Sequence, residues 1–145
     1  MFFKRIMLLL IFIYSFALAG EDLCSLKVEI IKFRNNDGQA LINLFNKSDG
    51  FPSKRDKAFQ SQKLPIHSNM ATFHFKDIPC GEYAIGIMHD ENNNLKMDTN
   101  LIGIPKEGYG VSNNVKSKLG PPKYEDAKIT LQSANTIIQI EMNYF

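Results

Sequence analysis

The chain has 145 residues, room for one ordinary domain, and carries 17 Lys+Arg against 15 Asp+Glu, a formal charge of +2. That balance lacks the basic excess of a nucleic-acid binder and the acidic excess of a disordered, solvating chain. Apolar residues make up 44% of the sequence but are unevenly spread.

In chain order, Lys4 and Arg5 precede a run, Ile6 to Ala19, that is apolar except for Ser15. The run is shorter than the roughly 20 residues a spanning helix needs. It closes on Ala17-Leu18-Ala19, a small-x-small cleavage pattern, so residues 1–19 read as a signal peptide and residues 20–145 as a single exported β-sandwich domain. Losing Lys4 and Arg5 leaves 15 basic against 15 acidic residues. A neutral mature chain without a spanning segment gives no reason to expect nucleic acid as a partner. The expected location is periplasmic or secreted, with an envelope protein or a glycan as the class of partner. Cys24 and Cys80 are the two cysteines. In an exported chain an even pair without C-x-x-C spacing reads as a disulfide.

Period-two alternation dominates the rest of the chain. Leu26, Val28 and Ile30 alternate with Lys27 and Glu29, then Ile31 and Phe33 fall out of phase, which predicts a bulge near Ile31. Asn35-Asn36-Asp37-Gly38 is a hairpin signal, with Ala40, Ile42 and Leu44 core-facing on the return strand. Residues 47–65 read as a polar connection, broken by Pro52 and Pro65, with a helical turn or two over 53–59. Strands resume with Ala71, Phe73 and Phe75 on one face, then Tyr83, Ile85 and Ile87, and later Ala127–Leu131 and Ile137–Tyr144. The pattern predicts an all-β fold, an antiparallel sandwich of about seven strands. Between Met88 and Asp126 a stretch with almost no strand pattern keeps Leu95, Met97, Leu101, Ile102, Ile104, Tyr109, Val111 and Tyr124, so it reads as one long ordered loop where function should sit.

That loop opens with oxygen ligands. Asp90, Asn92, Asn94 and Asp98 occupy positions 1, 3, 5 and 9 of a calcium-loop pattern; Lys96 at position 7 would offer its carbonyl and Glu107 would fold back to complete the shell. Leu95 stands where such loops carry Gly, and Leu101 where they carry a bidentate Glu, so Ca²⁺ binding is expected to be weak. The competing reading is an Asp/Asn turn whose side chains cap their own backbone. His89 is expected to face inward and, with Tyr109, Ser112 and Asn113, to order the loop; His67 and His74 read as exposed. No residue is assigned a catalytic role. A hydrolase using His89 with Asp90 or Glu107 and Ser112 as nucleophile is one alternative, although no G-x-S-x-G elbow surrounds Ser112. A carbohydrate or peptide carrier using exposed Tyr109 and Tyr124 is another.

The run Phe75-Lys76-Asp77-Ile78-Pro79-Cys80-Gly81-Glu82-Tyr83-Ala84, then His89-Asp90-Glu91-Asn92, Leu95 to Asn100, Gly103 to Gly110, Ser112-Asn113-Asn114 and Pro121-Pro122 resembles a bacterial family of exported proteins, domain-of-unknown-function family 2141, over about residues 26–144. Phe-x-x-Ile-Pro-x-Gly-x-Tyr-Ala also resembles the strand–turn–strand of transthyretin-like and Cna-B-type domains. The resemblance implies an Ig-like or prealbumin-like sandwich and an exported location, and no established activity. This chain carries Leu95 where the family often has Gly.

Overall fold

A computed structural model describes residues 20–145; the expected signal peptide, residues 1–19, lies outside the described residues. Eight strands run in chain order: β1 (Leu23–Ile31), β2 (Gln39–Phe45), β3 (Gln60–Leu64), β4 (Ala71–Pro79), β5 (Gly81–Asp90), β6 (Tyr109–Val111), β7 (Ile129–Leu131) and β8 (Thr136–Glu141). They form two sheets, ordered β4-β1-β8 and β3-β2-β5-β6, with β7 pairing the start of β5. The all-β sandwich is as expected. Among the described residues no helix is long and apolar enough to cross a membrane.

The core lies between the sheets. Alternation puts Leu26, Val28 and Ile30 of β1 against Ala40, Ile42 and Leu44 of β2 and Tyr83, Ile85 and Ile87 of β5, all buried. Cys24 and Cys80 are disulfide-bonded, tying the start of β1 to the turn between β4 and β5.

Several local expectations are corrected. The Asn35–Gly38 turn does not make a hairpin. Both edges of β1 are taken, by β4 antiparallel and by β8 parallel, so the turn carries the chain to the other sheet. The β1–β8 pairing also means that the sandwich is not wholly antiparallel. The phase change after Ile30 comes from Lys32, whose φ of 66° turns Phe33 back into the core. The register shift instead falls opposite Cys24 and Leu26, where β4 carries the extra residue and Asp77 has a φ of 53°. Residues 60–64 are an edge strand, not loop. Ala127 ends a short helix, Tyr124–Ala127, and only Ile129–Leu131 is strand.

The second sheet is covered on both faces. Leu41, Asn43 and Phe45 point away from the core yet are buried. Phe45, Ala84, Val111, Tyr124 and Ala127 build a smaller apolar cluster there, with Phe51 packed edge-on to Phe45 and Tyr124 at 5.5 and 5.9 Å between ring centroids. Gly86 permits this cover, because a Cβ there would collide with the Pro52 carbonyl.

Candidate functional site

The expected long loop is interrupted by β6: residues 91–108 leave the end of β5, return as β6, and continue through residues 112–123 across the covered face of the second sheet. Its anchor is a buried polar layer. His89, Asp90 and Glu107 are 0, 0 and 4% exposed, and each is satisfied by hydrogen bonds.

His89 Nε2 lies 2.8 Å from the Asp37 carbonyl, which can only accept, so this nitrogen carries the proton. In the neutral ring Nδ1 then accepts from the Tyr144 hydroxyl at 2.7 Å, and that hydroxyl accepts from the Arg34 N–H at 3.1 Å. Gly38, with φ of 64°, brings Asp37 this close; a Cβ there would overlap the Asp90 carbonyl. Burial raises the Tyr144 pKa above its ordinary value, against the pull of the Arg34 N–H.

The Asp90 carboxylate accepts from Asn94 N at 3.0 Å, Leu95 N at 3.1 Å and Gln39 Nε2 at 2.9 Å. Glu107 accepts from Glu91 N at 2.9 Å on one oxygen and from Asp98 N at 3.1 Å on the other. The loop therefore wraps its backbone amides around two buried carboxylates. Outside, Arg34 forks onto Glu91 at 2.6 and 2.9 Å, donates to the Lys106 carbonyl at 2.9 Å and lies 4.8 Å over the Tyr144 ring. The hydrogen bond to Glu91 raises the Arg34 pKa further, so this clasp stays charged.

Four of the proposed cation ligands sit together. Asp98 accepts from the Asn92 and Asn94 side-chain amides at 2.6 and 2.9 Å, while Asp90 holds the amides of the fifth and sixth loop residues. Glu107 reaches this group through the Asp98 amide rather than through its side chain. Lys96 gives its N–H to Asn94 Oδ1. Among the described residues no three His, Cys, Asp or Glu side chains gather as a metal cluster, so a cation here would rely on neutral amide oxygens.

Leu95 adopts the left-handed turn that its position demands, with φ of 64°, although it is not Gly. For a residue with a Cβ this costs about 1–2 kcal/mol. Leu95 is 44% exposed, so little packing offsets the cost. Leu95→Asn, which tolerates this conformation, is expected to raise stability by about 0.5–1 kcal/mol, read as a higher urea midpoint at unchanged slope.

The hydrolase arrangement does not form. Both His89 nitrogens are engaged, and buried Ser112 donates to the Ala127 carbonyl at 2.5 Å while accepting from Ile85 N at 2.9 Å. Ser112 thereby ties the loop to β5 and the short helix. Asn113, at φ of 61°, donates to the Asp126 and Lys128 carbonyls. Tyr109 exchanges backbone hydrogen bonds with Asn143, and its ring stacks on Phe145 at 5.5 Å. Tyr124, expected to be exposed, is buried because it fills the smaller apolar cluster.

Between the loop and the sheet lies a cleft of about 790 Å³, floored by Leu41, Asn43 and Met88 and walled by Met97, Ile104 and Tyr109. Arg55 and Phe145 also line it. Sequence reasoning did not find this cleft or Arg55. The available signal was the apolar run from Ala40 to Phe45, interrupted only by Asn43, which marks a strand covered on both faces.

No curated protein and no solved structure matches the chain. Residues 28–139 match the family model described as an uncharacterized protein conserved in bacteria, domain-of-unknown-function family 2141, and the chain belongs to that family.

Proposed function

We propose that the protein is an exported binding module that holds a small apolar ligand in the cleft between its second sheet and its long loop. The observation that carries this reading is the cleft itself. It is concave, largely apolar and within the range of about 300–1,000 Å³ usual for small-molecule sites. It is walled by a loop pinned from beneath by Asp90 and Glu107. Export is supported by the charged, apolar and small-residue order of residues 1–19 and by the disulfide, which persists in oxidising compartments. A neutral naphthylamine dye is expected to bind saturably with enhanced fluorescence. Ile104→Asp, which puts a charge in the wall, should weaken that binding by about tenfold or more. A wild-type protein that gives no saturable signal would overturn the reading.

A second reading, weak Ca²⁺ binding at the loop, is favoured by the mutual contact of Asn92, Asn94 and Asp98 beside Asp90. The Asn side chains would turn their oxygens inward to meet the ion. Metal-free protein should then melt higher in excess Ca²⁺, by about 2.7 kcal/mol of added stability at 100 times the dissociation constant. An unchanged melting temperature up to tens of millimolar Ca²⁺ would remove this reading and leave the cleft untouched.

A further inference from the structure

We propose that the occupant of the cleft is a single-chain amphiphile with a carboxylate head, of the fatty-acid type, with its head at Arg55 and its tail along the apolar wall; this rests on the reading of the cleft as a ligand site. The first support is Arg55 itself. Its Nη1 is buried without a hydrogen-bond partner, the one such side-chain atom among the described residues. Arg55 also lines the cleft, and a half-buried guanidinium without a counter-charge favours an anionic oxygen at its cleft-facing atoms. Arg55 joins no ion pair among the described residues.

Charge complementarity points the same way. Arg55, Lys96 and Lys118 line the cleft, and no Asp or Glu does. Most of the remaining lining is apolar, with Asn43, Ser53 and Ser117 as polar exceptions, and Met88 and Met97 are adaptable side chains suited to a flexible alkyl tail. A neutral apolar guest would leave the Arg55 charge without a counter-ion.

The test uses the full chain and the neutral naphthylamine dye, displaced by dodecanoate or by 1-dodecanol below their aggregation concentrations. Dodecanoate is expected to displace the dye at about a tenfold lower concentration than the alcohol. Arg55→Gln, with each displacement referred to that variant's own dye dissociation constant, should bring the two within about twofold, and Arg55→Lys should keep part of the preference. Equal potency of acid and alcohol on the wild type would overturn the carboxylate assignment, whatever the variants do. So would a preference that survives Arg55→Gln. Dye that binds but is displaced by neither compound would overturn it too and leave the cleft reading standing, whereas dye that never binds removes both.

Discussion

Asp90→Ala is expected to destabilise the protein by about 3 kcal/mol and to loosen the long loop selectively. The carboxylate is wholly buried and accepts three hydrogen bonds, two of them from backbone amides of the loop turn. Removing it orphans Asn94 N, Leu95 N and Gln39 Nε2. An unsatisfied buried donor costs about 1–3 kcal/mol. Because Asn94 and Leu95 are exposed residues, water can reach part of the vacated space, which holds each cost near the lower bound. Asp90→Asn keeps one acceptor but faces the amides with an NH₂ group, so it should lose about half as much. Urea denaturation measures the loss, and limited proteolysis should find new cleavage between residues 95 and 106. A loss below about 1 kcal/mol with an unchanged cleavage pattern would mean that the loop does not hang on this carboxylate.

Removing the disulfide should cost more. Cys24 and Cys80 lie 56 residues apart, and closing a loop of that length stabilises by about 4 kcal/mol in the chain-entropy model. Against the roughly 5–15 kcal/mol available to a domain, that is a large share. The bridge joins β1 of one sheet to the turn where the chain crosses into β5 of the other, and the Cys80 N–H donates to the Asp22 carbonyl at 2.9 Å beside it. The Cys24→Ala/Cys80→Ala double variant is expected to melt on the order of 15 °C lower than the oxidised protein. Adding reductant to the wild type should reproduce most of that shift. A shift of only a few degrees would show that the packed core carries the fold without the bridge.

The strands that read clearly in the sequence are those with one wet face. Leu26, Val28 and Ile30 alternate with charged residues, and the burial follows that alternation. β3 escaped because its sequence, Gln60 to Leu64, is a polar edge strand whose only buried residue is Leu64. β6 escaped because it is three residues long and contains Gly110; it forms by pairing with β5 and, at Tyr109, with Asn143. The parallel neighbour of β1 is a long-range choice that no local pattern encodes. At the site, the inward His89 and the self-capping Asp/Asn turn were both legible, because alternate residues and Asx chemistry are local rules. Three other roles depend on residues distant in sequence meeting in space: the clasp of Arg34 on Glu91, the bonds of Glu107 to two loop amides, and the placement of Arg55 at the cleft.

Asp90 and Glu107 hold the long loop as a fixed wall against which a cleft can persist. Amide hydrogen exchange tests this residue by residue. The amides of Glu91, Asn94, Leu95 and Asp98 donate to those two carboxylates, so they should exchange about a hundredfold or more slower than unstructured chain despite lying in a loop. Exchange of all four at the unstructured rate, in a protein whose β1 and β5 amides remain protected, would show that the two carboxylates do not order the loop.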